Sequence, residues 1–227
     1  MKIFLDSANL EALKQYLVIE GMTTNPTIMF KAGVTDYQGF AKTVLSAVGD
    51  MPISFEVFAD DFPEMERQAR LINSWGGNVY IKIPITNTKG ESSLPLIRTL
   101  LDSGLKLNVT AILTEQQVES LHSIMNSKDD VIVSIFAGRI ADTGLDPEPL
   151  MKQSVEKYKD LPKAKILWAS CREVLNIYQA QNCGCHIITV PEDYLKKLQM
   201  KGKNLAELSL DTVKMFYADS QKAGFKL

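Results

Sequence analysis

The chain has 227 residues, enough for one large core, with 45% hydrophobic and 23% charged residues. Its 25 Lys and Arg against 27 Asp and Glu give a formal net charge of −2, which argues against the basic footprint of a nucleic-acid-binding protein. No apolar run approaches the roughly 18 residues of a membrane span and no signal-peptide pattern opens the chain, so the expectation is a cytoplasmic protein with neither nucleic acid nor membrane as partner.

Eight short apolar runs recur along the chain, and helix-period segments fill most of the gaps. The first run, 2–6, leads to Leu10, Leu13 and Leu17, which share a helical face. The second, 22–25, precedes a segment carrying Phe40, Val44 and Val48; the third, 53–57, precedes Phe62, Met65, Ala69 and Ile72. The fourth and fifth are 79–84 and 106–111. Thr114 with Gln117 then predicts a capping box opening a helix with Val118, Leu121 and Met125 inward. The sixth and seventh runs are 131–136 and 165–170; Gly184 suits a helix C-cap before the eighth, 186–190. A long amphipathic segment over 204–223 closes the chain.

Strict alternation of strand and helix implies a parallel sheet covered by helices. Eight such units in this length predict an α/β fold, a single (β/α)8 TIM barrel over 1–227 with an additional C-terminal helix at 204–223. The rival, an open doubly wound sheet, usually begins with a glycine-rich phosphate loop, whereas the first loop here reads Asp6-Ser7-Ala8-Asn9. Cys171, Cys183 and Cys185 are an odd set, better read as reduced, partly buried thiols than as a disulfide framework. With only His122 and His186 beside them, a metal site is not expected.

Side chains alternate along a strand, so parity separates the helix-facing from the barrel-facing residues. Val79, Ile81 and Ile83 oppose Tyr80 and Lys82; Ile53, Phe55 and Val57 oppose Ser54 and Glu56. Leu107, Val109 and Ala111 oppose Asn108 and Thr110, Val131, Val133 and Ile135 oppose Ser134 and Phe136, and Asp6 opposes Ile3 and Leu5. The polar parity therefore faces the barrel axis, near the C-terminal strand ends where barrel active sites form. Asp6, Glu56, Lys82, Asn108, Thr110 and Ser134 converge there from five strands, and buried polar groups are expensive enough that such a set suggests a functional site. No Ser-His-Asp arrangement, P-loop or dinucleotide fingerprint is present. A barrel lysine near two carboxylates fits carbonyl chemistry through an imine: desolvation favours the neutral amine over the free-lysine pKa of about 10.4, while the carboxylates pull the other way.

These residues also carry a family resemblance. Phe4-Leu5-Asp6-Ser7-Ala8, Thr23-Thr24-Asn25-Pro26-Thr27, Phe55-Glu56-Val57, Ile81-Lys82-Ile83-Pro84, Asn108-Val109-Thr110, the run from Ser134 through Gly138-Arg139 to Asp142, and Ala169-Ser170-Cys171-Arg172 resemble successive motifs of the transaldolase family. The likeness spans residues 1 to about 190, and the length resembles the short subfamily that includes fructose-6-phosphate aldolases. The resemblance implies a Schiff base on Lys82, Asp6 as acid/base at the C4 hydroxyl, and Glu56 with Thr110 moving protons through a water. It implies Asn25, Asn108 and Ser134 on the dihydroxyacetone unit and Arg139, Ser170 and Arg172 on the phosphate, with no metal or organic cofactor; the inward parity of Phe136, two residues beyond Ser134, sets its ring beside that unit. Phosphorylated sugars would be the partners, with a homo-oligomer, pentamer or decamer, assembled with help from the C-terminal helix.

Blander roles compete: Asn25 as a turn former before Pro26, Arg172 as a cap or ion-pair partner, Arg139 as a solvated charge, Ser170 as an N-cap. The alternative activity is a fructose-6-phosphate aldolase releasing free dihydroxyacetone; a remoter one is a catalytically silent barrel with a binding role. The aldolase branch tends to carry Gln and Tyr where this chain has Glu56 and Phe136, so the resemblance favours transfer. Cys171 and Ile135 depart from the family's frequent Phe and Pro.

Overall fold

The computed structural model describes residues 1–226, with the side chain of Lys14 excepted. The chain forms two compact units, Met1–Leu195 and Lys196–Leu227. The first is a closed barrel of eight strands in sequence order: β1 (Lys2–Asp6), β2 (Ile19–Thr23), β3 (Ile53–Glu56), β4 (Val79–Pro84), β5 (Leu107–Ile112), β6 (Val131–Ile135), β7 (Lys165–Trp168) and β8 (Ile187–Val190). Every neighbouring pair is parallel, and β8 closes against β1 through Lys2↔Ile187 to Leu5↔Val190. A parallel pair needs a crossover, and helices supply it: α1 (Leu10–Gln15), α2 (Pro26–Lys31), α3 (Tyr37–Val48), α4 (Phe62–Asn73), α5 (Leu94–Asp102), α6 (Glu115–Ser123), α7 (Ala137–Asp142), α8 (Glu148–Lys157) and α9 (Leu175–Asn182); α10 (Glu192–Leu198) follows the last strand. The chain is thus a TIM barrel followed by one further helix, α11 (Leu205–Ala223).

Strand parity sorts the core into two shells. Leu5, Ile53, Phe55, Ile81, Ile83, Leu107, Val109, Val133 and Ile135 are essentially inaccessible on the helix-facing side. On the opposite parity, Phe4, Ile132, Leu167 and Ile187 form a buried cluster that Tyr80 packs against, filling the barrel interior below the polar layer. The helices cover the outer shell with the expected stripe: Met65, Ala69 and Ile72 of α4 are buried, as are Val118 and Leu121 of α6.

Local signals explain most boundaries. Thr114 and Gln117 do form a reciprocal capping box, and Gly184, at φ +77°, follows the end of α9. Asn204 caps α11 by accepting from Ala206 and Glu207 amides, and Gly224 ends it in the left-handed conformation. Several expectations need correction; Met125, expected on the helix that Thr114 opens, lies beyond its end at Ser123. α1 stops at Gln15, because Tyr16 takes an extended backbone, so Leu17 leaves the helical face and is 97% exposed. β2 runs Ile19–Thr23 instead of 22–25: Asn25 and Pro26 start α2, and a proline at the first helical turn cannot extend a ladder. β7 ends at Trp168, two residues short of the expected 170. In β5 a bulge at Ala111, φ +60°, breaks the simple alternation, so Ile112 and not Ala111 is fully buried.

Candidate active site

The β3–β4–β5 register sets Glu56 beside Lys82 and Lys82 beside Asn108. Adjacent parallel strands lie about 4.8 Å apart, so these inward side chains must meet. Lys82 is nearly enclosed: its side chain is 7% exposed, its Nζ donates to the Thr24 carbonyl at 2.9 Å, and Glu56 Oε2 lies 3.3 Å away. An unpaired ammonium at this depth would be strongly destabilising, so the carboxylate and carbonyl offset its desolvation. The same carboxylate is placed to accept a proton from the amine.

Asp6 reaches the same interior from the end of β1. Burial dominates its environment and pushes its carboxyl above the usual carboxylate range, with the Lys82 charge and a 2.8 Å hydrogen bond from Thr23 Oγ1 opposing. Thr23 Oγ1 also contacts Thr189 Oγ1. Because Thr23 has one proton and gives it to Asp6, Thr189 donates in turn, and a short hydroxyl relay from β8 through β2 ends on the carboxyl.

A second polar string crosses three strands. Ser134 Oγ donates to Asn108 Oδ1 at 2.6 Å, and Asn108 Nδ2 donates to Ser54 Oγ at 2.9 Å. All three side chains are buried. The string fixes which way the Asn108 amide points. Thr110, next along β5 and just before the Ala111 bulge, has a buried Oγ1 with no hydrogen-bond partner among the described residues. A buried hydroxyl without a partner is uncommon and marks a place where a polar ligand atom or water would be satisfied.

The loops after β6 and β7 meet at the rim. Gly138 lies so close to Ser170 that an added Cβ would fall 1.6 Å from the Ser170 carbonyl oxygen, so only glycine permits this approach. Ser170 itself holds φ +64°, a left-handed conformation that non-glycine residues seldom adopt. It does not cap α9, whose N-cap is Val174. The exposed guanidinium of Arg172 forms a fork with Asp142, at 2.6 to 3.1 Å, and Arg139 also lies close enough to Asp142 to lower its pKa. The Arg139 guanidinium sits 5.5 Å from the centre of the Phe136 ring, which packs against the barrel's inner cluster.

The structure therefore brings Asp6, Glu56 and Lys82 together inside the barrel, gathers Asn108 and Ser134 with Ser54, and collects Arg139, Ser170 and Arg172 at one stretch of rim. Asn25 is engaged locally, its side chain accepting from the Ile28 amide as the N-cap of α2. The parity argument passed over Thr189, although it follows the inward Ile187 by two residues on β8 and the same alternation would have found it. Ser54 stood on the inward face without a role; its bond to Asn108 supplies one. The three cysteines are free and buried, and burial pushes their thiols up, to about 11 for Cys171 and Cys183 and about 12 for Cys185. Thiols held protonated in this way are poor nucleophiles. Among the described residues no helix is long and apolar enough to cross a membrane.

A barrel lysine flanked by two carboxyl groups, with hydroxyl and amide groups beyond it and two arginines at the rim, is suited to attack on a carbonyl carbon in an anionic substrate. Comparison with known proteins gives the family. The family described as "Transaldolase/Fructose-6-phosphate aldolase" matches residues 3–227. The chain is 35% identical to a probable transaldolase of Dehalococcoides mccartyi over 202 residues, covering 87% of this chain and 90% of that one. It is 33% identical to a probable transaldolase of Thermoanaerobacter over the whole of both chains. Among solved structures, a 3-hexulose-6-phosphate synthase superposes with a TM-score of 0.60 at 16% identity, over 84% of this chain and 90% of that one. A mandelate oxidase mutant superposes with a TM-score of 0.56 at 14% identity, over 86% and 62%. These two share the barrel fold.

Proposed function

Because the chain belongs to the transaldolase/fructose-6-phosphate aldolase family, we propose that it is a transaldolase working through a Schiff base on Lys82. The observation that carries this reading is the enclosed Lys82 amine, 3.3 Å from Glu56 and close enough to Asp6 to act on its carboxyl. The Lys82 nitrogen attacks C2 of a ketose phosphate, and the resulting carbinolamine loses water to give the imine. Glu56, with a water held at Thr110, moves the protons of that step. Asp6 takes the C4 hydroxyl proton as the C3–C4 bond breaks, the bonding electrons passing to the imine as an enamine. An aldose phosphate leaves, and a different one is attacked by the enamine with the reverse proton movement at Asp6. Hydrolysis of the product imine frees Lys82.

Asn25, Asn108 and Ser134 hold the dihydroxyacetone hydroxyls, and Phe136 borders them. Arg139, Ser170 and Arg172 take the phosphate, Arg172 exchanging or sharing its Asp142 contact. The exchange is sedoheptulose 7-phosphate plus glyceraldehyde 3-phosphate to erythrose 4-phosphate plus fructose 6-phosphate, in a cytoplasmic homo-oligomer. Free dihydroxyacetone release from fructose 6-phosphate is the competing outcome, because the family contains both activities.

The test is incubation with fructose 6-phosphate and erythrose 4-phosphate, measuring sedoheptulose 7-phosphate and free dihydroxyacetone together, with borohydride trapping mapped by mass spectrometry. Sedoheptulose 7-phosphate in excess and a single adduct on Lys82 are expected. Dominant free dihydroxyacetone would make the enzyme an aldolase, and an adduct on another lysine would remove the mechanism.

A further inference from the structure

At the lip of the barrel β2 and β3 part company early. They pair only at Met22↔Ile53 and Thr23↔Ser54, after which the Thr24 amide and hydroxyl both donate to the Ser54 carbonyl, at 3.2 and 3.0 Å. Beyond Thr24 the chain turns at Asn25 and Pro26 into α2. Backbone groups of a strand alternate between its two neighbours. The Ile53 and Val57 amides donate to Asn78 and Lys82 on the β4 side, so the Glu56 N–H and C=O face the side that β2 has left. The last residue of β3, which carries the carboxylate beside Lys82, would have an open backbone at this point.

The Tyr37 hydroxyl fills the gap. It accepts from the Glu56 amide at 2.9 Å and donates to the Glu56 carbonyl at 3.0 Å, reproducing both bonds a neighbouring strand would make. Tyr37 opens α3, whose N-cap is Asp36, and its ring is wedged among Phe55, Phe58 and Trp75 with centroids 5.6 to 6.1 Å away. Burial pushes the phenol pKa well above its ordinary value, so the proton needed for the bond to the carbonyl stays in place.

We propose that Tyr37 is a positioning residue that completes the ladder at Glu56 and so holds the Glu56 carboxylate against the Lys82 amine. The role of Glu56 in proton transfer rests on the Schiff-base reading above; the backbone clamp does not.

The test begins with amide hydrogen exchange at Glu56 in the natural protein and in Tyr37→Phe, which keeps the ring and removes only the hydroxyl. The Glu56 amide should be protected in the natural protein and exchange faster in the variant, while neighbouring β3 amides hold their rates. Turnover should fall about tenfold in kcat with KM little changed, as expected when one hydrogen bond that orients a proton-transfer group is lost. Adding Tyr37→Phe to Glu56→Gln should cost nothing further, whereas Trp75→Phe, which alters the same aromatic packing, should leave kcat intact. An unprotected Glu56 amide in the natural protein overturns the proposal whether or not the variant folds. So does full kcat in Tyr37→Phe, an equal further loss on Glu56→Gln, or an equal loss in Trp75→Phe. If borohydride adducts map away from Lys82, the Schiff-base reading fails while the exchange result still decides the clamp.

Discussion

The Asp6 carboxyl is pulled in opposing directions. Burial favours its protonated form, and the Lys82 charge and the Thr23 hydroxyl favour the carboxylate, with burial the stronger. A group whose pKa is raised on folding adds stability at low pH and loses that contribution as pH rises through the raised value, so ionised Asp6 is a local source of instability near neutrality. In the proposed role of base Asp6 would work only when ionised, and the acid limb of kcat/KM should then lie above the ordinary carboxylate range. Thr23→Val removes a hydrogen bond made to the carboxylate, so the limb should move to still higher pH. The check is the pH profile of natural enzyme and variant side by side. A limb that stays in place would separate the hydroxyl relay from Asp6. At the same scale, Ser170 and Gly138 show how a rim loop is forced: the left-handed Ser170 backbone and the absent Gly138 side chain allow α7 and the chain after β7 to touch.

Among the elements, the turn between α6 and β6 is held by a buried charge. Asp129, 4% exposed, accepts from Arg98 of α5 at 2.6 and 3.1 Å and from the Asn126 amide at 2.7 Å. Burial would raise its pKa, but the guanidinium and amide bonds together outweigh it and hold the carboxyl below its usual range. A depressed pKa means stability present above the ordinary carboxylate range and lost as pH falls through the lowered value. Asp129→Asn leaves Arg98 paired with the more exposed Asp102 at 3.0 Å, and loss of the charged hydrogen bonds to Asp129 should destabilise the protein by about 2 kcal/mol near neutral pH. Denaturant melts at neutral and acidic pH check this, the gap between variant and natural protein narrowing in acid. A gap that is small at neutral pH would mean that the turn is held by packing alone. This pair also shows what composition hides: Arg98 and Asp129 look like two surface charges in the sequence, and only the fold shows that the carboxylate is buried.

Over the whole chain, the unit Lys196–Leu227 differs in kind from the barrel. Its helix α11 has nineteen residues and none is buried. Leu210, Val213 and Tyr217 repeat at helical spacing with Phe216 beside them, and all are more than half exposed. A stripe of this kind normally meets a partner, and we propose a second copy of this chain as that partner. Val213→Glu with Phe216→Glu should lower the mass measured by light scattering after size exclusion, while borohydride labelling of Lys82 persists in the smaller species. An unchanged mass would move the subunit contacts elsewhere.

The sequence by itself determined the barrel and the inner set. Period-two alternation fixes which side chains face the axis, so Lys82, Glu56, Asn108, Thr110 and Ser134 could be placed from parity alone, and all point inward. The capping box at Thr114 and the ends of α11 were equally legible, because caps are local chemistry. Tertiary structure decided what local pattern does not encode. Leu17 fits a helical stripe but falls after the helix has ended, and Ala111 fits a strand alternation that a bulge interrupts. Arg172 found Asp142, thirty residues away, and the Thr23–Thr189 relay joins strands separated by 166 residues. Tyr37 reads in sequence as an aromatic at a helix start, and becomes a backbone partner of Glu56 only because β2 turns away one residue past Thr24. Which backbone groups remain open depends on where neighbouring strands stop, and closure of the barrel sets that.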